Sequence, residues 1–242
     1  MCTVTFIPTG DKYFITSNRD EKNTRKFAIP PSAYEFESGK IFFPKDGDRG
    51  GSWIAIHENG NAAVLLNGAF EKHIAQPPYR LSRGKIFLHV IASEFPVKRF
   101  ERLSLDRIEP FTLVLLDKDD LYECRWDGAK KYCKQLKTYK PYIWSSATLY
   151  EEEVVKKRES WFSSFLNAKP NPSQEDVLHF HQFTGDGNIS YDLQMERGEL
   201  YSTVSITSIS TTPDRAAMTY LDLRTHERSE CSIEFTTDYM YL

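Results

Sequence analysis

Met1-Cys2-Thr3-Val4-Thr5-Phe6-Ile7-Pro8-Thr9-Gly10-Asp11-Lys12-Tyr13-Phe14-Ile15-Thr16-Ser17-Asn18-Arg19-Asp20-Glu21 opens the chain, and its reading decides the fold. Cys2, Val4 and Phe6 alternate with Thr3, Thr5 and Ile7, the period of a β-strand rich in β-branched and aromatic residues. Pro8-Thr9-Gly10-Asp11 is turn chemistry, and Tyr13 to Thr16 begin a second strand that ends in Ser17-Asn18-Arg19-Asp20-Glu21. With Gly10 and Asp11 central in the turn, antiparallel partners sum to about 21. This arithmetic predicts Cys2 opposite Arg19, flanked by Asn18 and Asp20. A thiol near the start of the chain is then brought beside a guanidinium and a carboxylate.

That set has a chemical use. Removal of Met1 would give Cys2 a free α-amine, whose pKa of roughly 7.7–8.0 suits a base for its own thiol. A nucleophile with an adjacent base is the general requirement of covalent catalysis. Arg19 would favour the thiolate, and Asp20 would orient the ammonium group. The alternative reading is a short strand followed by a polar turn.

Composition bounds the rest. The 242 residues, 40% apolar and 27% charged, fit a globular protein, read here as one domain spanning 1–242. Thirteen Tyr and sixteen Phe favour a sheet-rich core. A formal charge of -3 with no basic cluster argues against a nucleic-acid partner. No apolar run approaches the ~20 residues of a membrane span. No basic segment leads into an apolar one at the N-terminus, so the expectation is a cytoplasmic protein without a signal peptide. Cys2, Cys124, Cys133 and Cys231 show no CxxC spacing. Cys124 and Cys133 are expected near each other across a hairpin at Asp127-Gly128, reduced and half-buried.

Beyond the opening hairpin, residues 22–49 read as a loop with one short strand between Tyr34 and Phe43. Trp53 to His57 and Ala62 to Leu66 form a hairpin about Asn59-Gly60, which is expected to take positive φ at both positions. The second of these strands is a continuous apolar block, the pattern of a strand buried on both faces. Residues 69–80 are a polar loop. Helices follow over Leu81–Ser93 and Pro96–Leu103, with His89 packed. Strands are predicted at Phe111–Leu116, Leu121–Trp126, Tyr132–Leu136 and Tyr142–Trp144. Glu151–Leu166 is the clearest helix, with Val154, Arg158, Phe162 and Phe165 on one stripe. Ser173, with Asp176 three residues on, caps a helix over Gln174–Phe183. In it, His179 and His181 point to different faces, which is poor metal geometry, so no metal site is expected. Strands at Tyr201–Thr207, Met218–Leu223 and Cys231–Phe235 complete the chain, with Glu227–Glu230 a turn.

Met-Cys opening one strand and Asn18-Arg19-Asp20-Glu21 ending the next resemble the NRDE family, which in turn resembles the N-terminal-nucleophile (Ntn) hydrolases of the choloylglycine hydrolase and penicillin V acylase branch. Gly50-Gly51-Ser52-Trp53, a hairpin, and a strand ending at Asn67 also match the family pattern. The resemblance implies Asn67 as an amide donor to a developing oxyanion, a role suited to a fixed group at a strand end. Trp53 would pack the cleft wall. The family has Ser-Asn where this chain has Ser145-Ser146; a hydroxyl or N–H of Ser146 can still donate there. A late arginine of some relatives has no counterpart between Arg197 and Arg215.

Two helical groups among antiparallel strands suit an α+β fold of two stacked, mainly antiparallel sheets with helices outside, and the resemblance implies that this is a four-layer αββα sandwich. Two functions fit it. One is an N-terminal-cysteine amidohydrolase or acyltransferase acting on a small amide or acylated metabolite, with Cys2, Arg19, Asp20 and Asn67 catalytic, Asn18, Trp53 and Ser146 contacting substrate, and no cofactor. The other, implied by the family resemblance, is a non-catalytic carrier of haem or another hydrophobic small molecule. Fold alone decides neither.

Overall fold

The computed structural model describes residues 3–236. Strands β1 (Thr3–Thr9) and β2 (Lys12–Lys22) form the opening hairpin. They pair antiparallel from Thr3↔Asn18 to Thr9↔Lys12, so partners sum to 21 as expected. Gly10 supplies the positive φ (62°) of the turn.

The other strands are β3 (Ile29–Phe36), β4 (Gly39–Lys45), β5 (Ile54–His57), β6 (Ala62–Asn67), β7 (Phe111–Asp117), β8 (Asp120–Trp126), β9 (Lys131–Leu136), β10 (Tyr142–Ser145), β11 (Glu196–Arg197), β12 (Tyr201–Thr211), β13 (Arg215–Asp222) and β14 (Glu227–Glu234). The helices are α1 (Arg83–Ile91), α2 (Pro96–Arg102), α3 (Glu152–Ala168) and α4 (Gln174–Phe183). One sheet runs β10-β1-β2-β12-β13-β14, with β11 beside β12. The other is a meander from β3 to β9. The pairings are antiparallel in both sheets.

Strand alternation creates three packed interfaces. Val4, Phe6 and Ile15 of the first sheet meet Ile54, Val64, Leu66 and Val114 of the second. On the opposite face of the hairpin, Ile7 and Phe14 pack with Phe162 of α3 and Val177 and Phe180 of α4. Beyond the second sheet, Ala63, Leu65, Leu113 and Leu115 pack against Ile86, Phe87 and Val90 of α1 and Phe100 of α2. The layers are therefore helices, sheet, sheet, helices, the αββα order expected. The apolar block of β6 is apolar because alternate residues serve two different interfaces. Ser173 accepts from Asp176 N, closing the capping box that starts α4. Among the described residues, no helix is long and apolar enough to cross a membrane.

Several expectations need correction. Residues 22–49 hold a full hairpin, β3–β4, rather than a loop with one short strand. β3 lies at the sheet edge, where Pro30-Pro31 and a polar, exposed face are tolerated and hide the strand period. At the β5–β6 turn only Gly60 has positive φ; Asn59 instead accepts Asn61 N through its side chain. Glu227–Glu230 is not a turn but the start of edge strand β14, paired with β13 from Asp222↔Glu227 onward. Its charged residues are the protection an edge strand needs. The turn lies just before it, with His226 at φ 59°. His89 is exposed on α1 rather than packed.

Candidate functional site

β2 is central to its sheet, with β1 on one side and β12 on the other. Alternation sends Arg19 and Glu21 toward the second sheet, and Asn18 and Asp20 toward the helices. The four polar residues at its end therefore fall into two separate clusters.

On the cleft side, Arg19 is 3% exposed and its Nη2 donates to Asp46 Oδ2 at 2.5 Å. Its guanidinium lies 4.3 Å from the centroid of the Trp53 ring. Asp46 is itself fixed by a turn after β4, in which its Oδ1 accepts from the N–H groups of Asp48 and Arg49. Arg25 adds a second cation at 3.7 Å from Asp46. Burial pushes the Arg19 pKa below its ordinary value, opposed by Asp46 and Glu21. Arginine stays protonated nonetheless. Among the described residues, Arg19 Nη1 and Trp53 Nε1 are buried without a hydrogen-bond partner. Such orphans are uncommon and cost free energy unless something binds them.

These groups wall a cavity of about 600 Å³, which Asn67, Ser52, Arg83 and Glu109 also line. Asn67 is the last residue of β6, and the chain turns sharply at Gly68, where φ is 79°. A Cβ on Gly68 would lie 2.9 Å from Thr148 Cγ2, so the residue is confined to glycine sterically as well. Ser146 is fully buried; its hydroxyl donates to the Asn67 carbonyl at 2.9 Å and pairs with Thr148 Oγ1 at 3.0 Å.

On the helix side, Asp20 accepts from Tyr150 OH at 2.8 Å and from Thr203 Oγ1 at 2.5 Å. Asn18 donates to the carbonyls of Leu193 (2.7 Å) and His181 (3.1 Å), and its Oδ1 faces His181 Nδ1. The other ring nitrogen of His181 meets Thr5 Oγ1 at 2.8 Å. Burial, with Arg158 nearby, pushes the His181 pKa down to about 3. Arg158, fully buried on α3, donates to Thr3 Oγ1 and to the carbonyls of Tyr191 and Asp192, and stacks 3.8 Å from the Tyr150 ring centroid. A second cavity of about 850 Å³ opens here, lined by Phe70, Trp144, Tyr150, Tyr191 and Arg197 among others.

The structure thus gathers Arg19, Trp53 and Asn67 around one cavity. It sets Asn18 and Asp20 in the packing beneath α3 and α4, and turns the Ser146 hydroxyl inward. Cys2 lies outside the described residues. The sequence reading missed Asp46, Tyr150, Arg158, Thr203 and Arg197. Asp46-Gly47-Asp48-Arg49-Gly50-Gly51 carries a turn signal that would have fixed Asp46 in a defined loop. Arg197, the residue that bounds the arginine-free stretch before Arg215, reaches the second cavity from β11 and donates to the Leu149 carbonyl at 3.1 Å. Among the described residues, no group of three or more His, Cys, Asp and Glu side chains could hold a metal ion.

The two stacked antiparallel sheets with outer helices define an Ntn-hydrolase-like fold. Two variant structures of conjugated bile acid hydrolase from Clostridium perfringens superpose with TM-scores of 0.51 and 0.52 at 8% identity. The first covers 98% of this chain and 97% of that one; the second covers 97% of each. A Caenorhabditis elegans N-acylethanolamine-hydrolyzing acid amidase ortholog gives 0.55 at 10% identity, covering 88% of this chain and 93% of that one. The chain belongs to the Transport and Golgi organisation 2 family, whose model matches residues 1–220. No curated protein sequence matches it.

Proposed function

We propose that the protein is an N-terminal-cysteine hydrolase or acyltransferase of small amides or acylated metabolites. The observation that carries this is Arg19: a buried guanidinium anchored at one nitrogen by Asp46, on a residue that lines a cavity, with Nη1 unpartnered among the described residues. In this reading Cys2, freed of Met1, attacks the substrate carbonyl through sulfur while its amine takes the thiol proton. The proton passes to the leaving amine as the C–N bond breaks, and water or an acceptor amine then cleaves the thioester. Cys2 directly precedes Thr3, whose strand partner Asn18 directly precedes Arg19. Arg19 favours the thiolate, and Asn67 at the β6 end supplies an oxyanion donor. Asp20 acts from the helix side as a positioning residue. The amide-bond chemistry named for the bile acid hydrolase and the acid amidase orients the choice of substrates to try.

The test is hydrolysis of a panel of acyl-amino acids, acyl-amines and simple amides by protein shown by intact mass to lack Met1. Turnover that disappears in Cys2→Ala supports the reading. Absence of turnover across the panel, or turnover unaffected by Cys2→Ala, overturns it.

A second reading is favoured by Ser146. Its hydroxyl is spent on the Asn67 carbonyl and Thr148, so the second oxyanion donor expected from hydrolases is not offered by that side chain. The aromatic lining of the second cavity suits a carrier of haem or another hydrophobic small molecule. Haemin titration should then give a saturable Soret shift that Cys2→Ser weakens. Non-saturating spectra indifferent to the mutation would refute it.

A further inference from the structure

Cys124 and Cys133 face each other directly across the β8–β9 hairpin. Asp127 N donates to Lys130 O at the turn, so 124–133 is one of the non-hydrogen-bonded pairs, where side chains on neighbouring antiparallel strands approach most closely. Their sulfurs are 2.7 Å apart, inside van der Waals contact. Both are free thiols, Cys124 buried and Cys133 exposed. A Cα separation of about 4.5 Å, as such pairs adopt, lies within the range that a disulfide spans without backbone movement.

From this geometry we infer that Cys124 and Cys133 form a reversible oxidation site, converted to an intramolecular disulfide by hydrogen peroxide. Cys133 is the entry point because it alone of the two is exposed. The hydrogen bond from Cys124 lowers the Cys133 pKa, while the same contact and burial raise that of Cys124. The Cys133 thiolate attacks one peroxide oxygen; an S–O bond forms, the O–O bond breaks, and the departing hydroxide takes a proton to become water. Cys124 sulfur then attacks the sulfenic sulfur of Cys133. The S–S bond forms, the S–O bond breaks, and hydroxide leaves with the Cys124 proton as a second water. Two thiols lose two electrons in all, and one hydrogen peroxide accepts them.

The bond would bear on the second cavity. Beside this cysteine pair, Arg125 opposes Tyr132 in register. Arg125 stacks 4.8 Å from the Phe70 ring centroid, and Phe70 meets Tyr132 edge-on at 5.0 Å. Arg125 and Phe70 both line the cavity. Crosslinking the hairpin one residue away fixes β9, the edge strand that carries Tyr132, to β8, which carries Arg125.

Limited hydrogen peroxide treatment of the folded protein, alkylation of remaining thiols and tryptic mapping test this. Cleavage after Lys and Arg leaves Cys124 in the peptide 119–125 and Cys133 in the peptide 132–134. The expected product is these two peptides joined, lighter than their sum by about 2 Da for the two hydrogens lost, and separated again by dithiothreitol. Cys231→Ser should retain the crosslink, and Cys124→Ser should divert Cys133 to sulfenic and sulfinic acid. If folded wild-type protein yields oxygenated Cys133 without the crosslink, or pairs Cys133 with Cys231 or with a second molecule, the inference is wrong.

Discussion

His181 sets a pH dependence of stability whose size follows from its surroundings. Asn18 spends its amide hydrogens on two carbonyls, so its Oδ1 accepts from His181 Nδ1–H. His181 Nε2 then accepts from the Thr5 hydroxyl. Both ring nitrogens are satisfied in the neutral form, and a second proton would be added in full burial beside Arg158. With a folded pKa of about 3 against about 6.5 in the unfolded chain, the unfolded state binds more protons throughout that window. Stability therefore falls as pH falls from about 6.5 toward 3. Between about pH 7.5 and pH 4.5 this one group should remove about 2.6 kcal/mol, from roughly 1.4 kcal/mol per unit of pKa difference. Urea unfolding of wild type and His181→Gln at both pH values separates this loss from that of the carboxylates, which both proteins share. The variant should be less stable at pH 7.5 and show a pH loss smaller by about that amount. Imidazole NMR offers a check in the wild type alone, with the His181 ring neutral at about pH 4.5. Equal pH losses in both proteins, or a His181 ring that titrates near about 6.5, would refute the reasoning.

Other outcomes follow from the site. Arg19→Met should lower stability by about 2 kcal/mol in denaturant unfolding, because Asp46 loses its closest partner while Arg25 still screens it; an unchanged midpoint would show the pair to be energetically idle. Gly68→Ala should cost about 1–3 kcal/mol from positive φ and the clash with Thr148, and adding Thr148→Ser should recover only the steric part. Tyr150→Phe should cost about 1–2 kcal/mol by removing the hydrogen bond to buried Asp20 while keeping the ring beneath Arg158; calorimetry showing no loss would contradict that accounting.

The hairpin register was legible because a two-stranded turn fixes every partner once its centre is known, and Gly10 marked that centre. Stacked layers were legible in β6, whose successive apolar positions suit a strand buried on both faces, and in two helical groups set among antiparallel strands; the αββα order itself followed from the family resemblance. Among the edge strands, β9 and β10 were legible too, but β3 and the first half of β14 were not. β3 and β14 are polar on their outer faces, and β3 carries two prolines, so neither shows the alternation that identifies a half-buried strand. Arg158 shows a subtler limit. It falls on the buried stripe of α3 by spacing, but nothing local tells that a guanidinium there caps the carbonyls of Tyr191 and Asp192 and reaches Thr3, contacts more than thirty residues distant in sequence.

The same distinction governs the Asn18-Arg19-Asp20-Glu21 motif. Read as a string, its first three residues look like one active-site cluster. Strand alternation sends neighbouring side chains to opposite faces of the sheet, so the three do not share one face. Asn18 joins the sheet to α4 through His181 and to the following segment through the Leu193 carbonyl, and Asp20 is tied to Tyr150, just ahead of α3, and to Thr203 of the neighbouring strand β12. Arg19 alone of the three faces the cavity between the sheets. Substitution of Asn18 or Asp20 should therefore reduce stability and, under the proposed chemistry, activity with it. Under the proposed chemistry, Arg19→Lys should preserve more stability than Arg19→Met while slowing the reaction of Cys2 with iodoacetamide, since a point charge does not reproduce the planar guanidinium. Labelling of Cys2 at the same rate in wild type and both Arg19 variants would make Arg19 a packing residue, and the enzyme reading would lose its main support.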